Sequence, residues 1–214
     1  MPNHCSNTLI VKGNDNDLWR FKNSFLVNTK EGASYNGIHP MPKELHEDTS
    51  PLPLKDGETA DEYKARMKAY KALYGAESWY DWSYNNWGTK WDVYDFYTDG
   101  DDSDTEFVCH FSSAWAPPLG WVQKAVEVFP TLSFIMEFIE EGMSFCGVAF
   151  GDDGQYCVEY GDVAYVDEDE RVVMWNDSLG KYVYDDGEVI DDEDFYPIAV
   201  NSVADLEKLI KIKS

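Results

Sequence analysis

Three features of this 214-residue chain predict an α+β fold. Short β-branched and aromatic runs alternate with segments of helical spacing. Their order is strand–helix, an elaborated middle, then strand–helix–strand. From residue 143 onward, strand-like runs follow one another between turn sequences. That order is the one of an elaborated ferredoxin-like sandwich with an antiparallel sheet, followed by an acidic β-meander extension. With 43% hydrophobic residues in 24.5 kDa, the chain can bury a core without staples and is too apolar to be disordered throughout.

Thr8–Lys12 reads as a strand closed by Gly13. Asn14 to Asp17 supply helix N-cap candidates, and Leu18, Trp19, Phe21, Phe25 and Leu26 follow at helical spacing. Prolines at 40, 42, 51 and 53 forbid a helix or central strand, so 28–58 is expected as an extended loop laid over the body. The clearest helix is 60–74. Thr59 and Glu62 form a capping box, Gly75 is a natural stop, and Tyr63, Met67, Tyr70 and Tyr74 make one stripe. Lys64, Lys68 and Lys71 on its surface form the only basic patch and read as a solvated face.

Ser78 to Trp91 holds four tryptophans, read as structural packing around a tight turn at Gly88. Glu106–Ser112 alternates as a strand, ended by Ala114-Trp115-Ala116-Pro117-Pro118. Leu119 to Phe129 reads as a helix with Val122, Ala125, Val126 and Phe129 inward. Leu132–Phe138 and Phe145–Phe150 are strands joined through Glu140-Glu141-Gly142. The expected organisation is thus a domain at 1–151 with an insertion at 28–97, then an extension at 152–214 ending in a short helix. Within the meander, Tyr156–Tyr160, Val163–Val166, Val172–Trp175, Tyr182–Tyr184 and Phe195–Val200 are separated by turns at Asp153-Gly154, Tyr160-Gly161, Leu179-Gly180 and Asp186-Gly187.

Charge is the outlying property: 17 Lys and Arg against 41 Asp and Glu give −24. Residues 1–97 hold 11 basic and 14 acidic side chains, a net of −3, whereas 98–214 hold 6 and 27, a net of −21. Three clusters carry the difference: Asp99, Asp101, Asp102, Asp104 and Glu106; Asp167, Glu168, Asp169 and Glu170; and Asp185, Asp186, Glu188, Asp191, Asp192, Glu193 and Asp194. Such a surface disfavours direct binding to nucleic acid or anionic membranes and favours a basic partner.

Catalytic and metal motifs are weak. Cys5, Cys109, Cys146 and Cys157 lack the paired spacing of a zinc site and read as buried core cysteines. Adjacent Cys109 and His110 point to opposite faces of a strand. Asp99 to Glu106 is rich in oxygen ligands, but its glycine is misplaced for a calcium loop and His110 falls where the bidentate glutamate belongs. No phosphate-binding glycine loop or nucleophile elbow occurs. No cofactor is expected. The N-terminus MPNHCSNTLIVKG lacks a signal pattern and no apolar run spans a membrane, so a cytosolic protein is expected.

Met1-Pro2-Asn3-His4, Asn86-Trp87-Gly88-Thr89-Lys90-Trp91, Ala114 to Pro118, and Phe129-Pro130 followed by Glu140-Glu141-Gly142 occur in that order. Over residues 1–151 the chain resembles the YubB-like proteins with a ferredoxin-like domain, carried by bacteriophages and conjugative plasmids. The resemblance implies a mobile-element protein in a bacterial host and no known chemistry. Charge and resemblance together predict a non-catalytic DNA mimic. It would occlude the nucleic-acid-binding surface of a host defence or DNA-processing protein such as a nuclease, restriction enzyme or CRISPR effector. The alternative is an interaction or immunity-type protein gripping one partner through Trp79, Trp82, Tyr84 or Trp175, without mimicry. An enzyme with an unrecognised site, and acidity reflecting a saline habitat, are the remaining readings.

Overall fold

The computed structural model describes residues 3–27, 30–46, 51–100, 103–140, 142, 145–167, 172–176, 179, 181–184, 188–190 and 195–200. β1 (His4–Lys12) buries alternate side chains, Cys5, Asn7, Leu9 and Val11, as a half-covered strand must. It is followed by α1 (Asp15–Phe25), capped by Asn14 through the Asp17 amide. An insertion carries α2 (Ala60–Tyr74) and α3 (Trp79–Asn86). Then come β2 (Tyr94–Tyr97), β3 (Glu106–Ala114), α4 (Leu119–Val128) and β4 (Ser133–Glu140). β5 (Phe145–Asp152), β6 (Gln155–Asp167), β7 (Val172–Asn176), β8 (Lys181–Val183) and β9 (Phe195–Val200) complete the described chain.

All pairings are antiparallel, in the order β2-β3-β1-β4-β5-β6-β7-β8, with β9 also on β6. The first four strands with α1 and α4 give the ferredoxin-like α+β arrangement read from the sequence, and β5 onward widens the same sheet. The organisation expected at 1–151 and 152–214 meets in the last residues of β5, whose ladder to β6 runs from Phe145↔Asp162 to Asp152↔Gln155. A short helix expected at the end falls in 201–214, outside the described residues.

Register sets the faces. Leu9 lies opposite Cys109 and Met136, so all three point to the side that α1 and α4 cover. There Trp121 is fully buried, with ring centroids 4.9 Å from Phe25 and 5.1 Å from Tyr35, and its Nε1 donates to the Tyr35 carbonyl at 3.2 Å. A second, small cluster of Val173, Tyr184 and Ile190 packs under the extension, with Tyr165 and Tyr182 against it.

The insertion is held down rather than loosely laid. Tyr35, Leu45 and Leu52 are buried, with short 3-10 turns at Tyr35–Gly37 and Lys43–Leu45. α2 has the bounds, the capping box and the left-handed Gly75 stop that the sequence predicts. Trp19 does not join the core. It is exposed, because a helix turns by about 100° between Leu18 and Trp19 and only Leu18, Phe21 and Phe25 face the sheet.

Other expectations are corrected. Ser78 caps a two-turn helix over Trp79–Asn86, an element absent from the sequence reading, while the packing expected of the tryptophans holds for Trp82 and Trp87, which are buried. Gly88 does turn the chain, at φ 87°, and a Cβ there would lie 3.2 Å from the Leu119 and Gly120 nitrogens. β6 runs straight through Tyr160-Gly161, read as a turn, because β5 continues to pair with it there as Gly147↔Tyr160 and Cys146↔Gly161. The Asp153-Gly154 hairpin is as expected, with both residues at positive φ. Cys157 is exposed instead of buried: it lies opposite Phe150, on the face the helices leave open.

Candidate functional site

Polar side chains at period two on three neighbouring strands, Ser6 and Thr8 on β1, His110 and Ser112 on β3, and Glu137 on β4, share the face opposite the helices. With Asp95 and Tyr97 of β2 on one flank and Ile139 and Val148 on the other, they line a concavity of about 520 Å³. This volume lies within the usual range for ligand sites.

His110 organises the wall. Its Nε2 is 2.9 Å from Asp99 Oδ2, and its Nδ1 is 3.0 Å from Thr8 Oγ1. An ionised Asp99 only accepts, so Nε2 carries a proton; in the neutral ring Nδ1 then accepts from the Thr8 hydroxyl. The Tyr97 ring stacks on the imidazole, with centroids 4.7 Å apart and planes 19° apart. β2 slips register between Tyr94 and Tyr97, and Asp95 sits at φ 52°, a left-handed conformation that Asp tolerates better than most residues. The bulge is what brings both Asp95 and Tyr97 to the concavity.

Carboxylate, imidazole and hydroxyl in sequence are the parts of a nucleophile relay. Acyl transfer also needs donors aimed at a developing oxyanion. Thr8 lies in the middle of β1, between β3 and β4, so nearby backbone N–H groups point in the sheet plane and serve the ladders. The contacts among Asp99, His110 and Thr8 fix the imidazole, and with it the stacked Tyr97 ring, at the edge of the concavity. Cys5 offers no nucleophile either, since burial pushes its thiol up to about 12. Burial likewise raises Tyr94 to about 12, and its hydroxyl donates to the Ser113 carbonyl at 3.0 Å. No group of three His, Cys, Asp or Glu suited to a metal occurs among the described residues, and no helix among them is long and apolar enough to cross a membrane.

A second groove of about 290 Å³ lies beside α3, lined by Asn36, Trp79, Trp87, Lys90, Trp91 and Asp92 among others. Lys90 Nζ stands 5.1 Å from the Trp91 ring centre and 5.6 Å from that of Tyr80. Trp79 Nε1 is buried there with no hydrogen-bond partner among the described residues. Of the aromatic residues expected to grip a partner, Trp82 is buried in the core, Trp79 lines this groove and Tyr84 is exposed; the Trp175 side chain lies outside the described residues.

Only part of the three acidic clusters lies within the described residues. In the first, Asp99 is held by His110, Glu106 pairs with Lys12 at 2.5 Å and Asp104 is exposed; Asp101 and Asp102 lie outside the described residues. Glu106 marks the end of the sheet where Lys12 and Ser133 lie. Asp167 closes β6 beyond the opposite end, where Cys5, Glu140, Phe145 and Asp162 line up. Its register partner is Phe195, the first residue of β9. Asp191, Asp192, Glu193 and Asp194, with Glu168, Asp169, Glu170, Asp185 and Asp186, lie outside the described residues. Glu188 is exposed, and its carbonyl accepts from the Tyr184 amide.

Sequence reasoning missed Thr8, Asp95, Tyr97, His110 and Glu137 as a group. The alternation of polar residues was visible, but only the register Thr8↔His110 and Thr8↔Glu137 assembles them.

No curated protein matches the chain. It is similar to the crystal structure of a protein api92 from Yersinia pseudotuberculosis, with 10% identity and a TM-score of 0.44 over 76% of this chain and 98% of that one. Residues 90–176, running from Lys90 past residue 151 to the end of β7, match the family model described as the ferredoxin-like domain in Api92-like protein.

Proposed function

We propose that this protein is a non-catalytic acidic binder from a bacterial mobile element, of YubB-like kind. It acts in the host cytoplasm by occluding the nucleic-acid-binding surface of a basic defence or DNA-processing protein. The observation that carries this reading is the net −21 of residues 98–214, borne by a segment that continues one antiparallel sheet. Duplex DNA carries one charge per about 1.7 Å of axis, and carboxylates on a rigid support can take its place in a basic channel and release the same counterions. The pairing of Asp167 with Phe195, which directly follows Asp194 in sequence, supports the second and third clusters acting together.

The test uses the whole chain as bait in a bacterial lysate, with captured proteins eluted by salt and challenged with duplex DNA. A nucleic-acid-binding protein that duplex DNA displaces is the expected result. Replacing Asp191, Asp192, Glu193 and Asp194 by their amides should weaken its binding and flatten the salt dependence. A partner that resists salt and ignores DNA would overturn mimicry. That outcome would favour the aromatic reading, for which the groove beside α3, with exposed Tyr80, Tyr84 and Trp91 around it, is the specific support.

A further inference from the structure

We propose that the open-face concavity is an arginine-binding site, in which the guanidinium of a partner's side chain stacks on Tyr97 and pairs with Asp95. Charge comes first. The lining contains two carboxylates, Asp95 and Glu137, and neither Lys nor Arg. Neither carboxylate is in an ion pair among the described residues, and both are exposed. The third nearby acid, Asp99, is engaged by His110. This charge balance disfavours an anion or a phosphate backbone and favours a cation.

Shape then selects among cations. One face of the Tyr97 ring lies on His110, and His110 is fixed through both of its nitrogens. Tyr97 is nevertheless 57% exposed, so its other face is available. A flat, firmly backed aromatic face beside a carboxylate suits a planar guanidinium, which can stack and form two parallel hydrogen bonds at once. A lysine ammonium can pair with Asp95 but gains no stacking from its shape, and a bare metal ion would use neither the ring nor the depth of the site. At about 520 Å³, the concavity admits a long side chain with some of the backbone that carries it.

From the proposed function this inference borrows only that the partner is basic, and the acidic clusters take no part in it. The probes are blocked tripeptides, glycine–arginine–glycine and its lysine counterpart, titrated into the full-length protein while the side-chain NMR signals of His110 and Tyr97 are followed. The arginine peptide should shift both signals and bind more tightly than the lysine peptide. Asp95→Asn should weaken arginine binding about tenfold, the usual worth of a charge-assisted hydrogen bond. Asn accepts the same left-handed backbone, so an unchanged melting temperature is the check that the fold is kept. Should that variant melt early, Glu137→Gln, on the open face of β4, tests the charge instead and should weaken binding by a few-fold. Tyr97→Leu should abolish the preference for arginine over lysine.

Equal binding of the two peptides, or unaltered binding by Asp95→Asn in a folded protein, overturns the proposal. So does the absence of any shift at His110 and Tyr97 at about 10 mM peptide, a concentration that reveals even millimolar affinity. The two readings fail separately. A silent tripeptide with a DNA-displaced lysate partner removes this site and leaves the occlusion reading. A bound tripeptide with only a DNA-indifferent partner does the reverse.

Discussion

Asp92 lies two residues before β2 and spends its carboxylate on the insertion. Oδ1 accepts from the Tyr35 amide at 2.7 Å and the Val93 amide at 2.9 Å; Oδ2 accepts from Ser34 Oγ at 2.6 Å and Asn36 Nδ2 at 3.0 Å. An ionised carboxylate has room for about four such donors, so this one is saturated. The side chain thereby fixes Tyr35 under Trp121 and sets where β2 begins, and with it Asp95 and Tyr97. Asp92→Ala should lower stability by about 2–4 kcal/mol, because several part-buried donors lose a charged acceptor together. Asp92→Asn should cost less, as one oxygen remains to accept. Urea denaturation of the two variants measures this; a loss below about 0.5 kcal/mol for Ala would mean that water replaces the carboxylate with little penalty.

Among the elements, α2 shows both what local sequence dictates and where it stops. Its ends were legible because Thr59, Glu62 and Gly75 act within one turn of themselves, and α1, α4, β3 and β9 were legible from periodicity in the same way. β2 was not: four residues with a bulge carry no alternation, and their pairing to Ser112 and His110 is set by the distant β3. The open-face concavity failed to appear for the same reason, since Thr8, His110 and Glu137 meet only through register. α2 itself buries only Met67, with Tyr63, Tyr70 and Tyr74 packed partly against the core, so its attachment depends on few contacts. Arg66 supplies one, bonding Glu58 through Nε and Nη2 at 2.7 Å each and the Pro53 carbonyl at 2.8 Å. That pairing holds the Glu58 carboxyl down at about 2. A depressed folded value means that the contribution is complete above the ordinary glutamate value of about 4.3 and is lost as pH falls from there toward 2. Amide exchange in α2, corrected for intrinsic rates, should therefore speed up over that window while β1 stays protected. Glu58→Gln should exchange faster already at pH 6 and lose most of the pH dependence. Equal acceleration of α2 and β1 would mean that the insertion and sheet open as one unit, contrary to this account.

For the whole molecule, composition forces a conflict. If every Lys and Arg took one carboxylate, 24 acids would remain without a cation, which is the net charge restated as geometry. Ion pairs among the described residues are few and mostly exposed, as with Lys12–Glu106, Lys124–Glu127 and Lys64–Asp61, and such pairs contribute little. The free protein is thus strained by its own repulsion, most of all in residues 98–214. Salt should relieve that strain: at 0.1 M the screening length is about 10 Å, shorter than the distance between the two ends of a nine-residue strand. Raising salt from about 0.01 M to about 0.3 M should therefore raise the melting temperature by a few degrees, as about 1 kcal/mol of relief does for a chain of this size. The same screening should weaken association with a basic partner, so stability and binding move in opposite directions. Converting Asp191, Asp192, Glu193 and Asp194 to amides should reduce both slopes together, because one set of unpaired charges produces both. If those amides reduce the binding slope and leave the melting slope unchanged, repulsion resides elsewhere in the extension. If they reduce the melting slope alone, those four residues only burden the free chain and take no part in recognition.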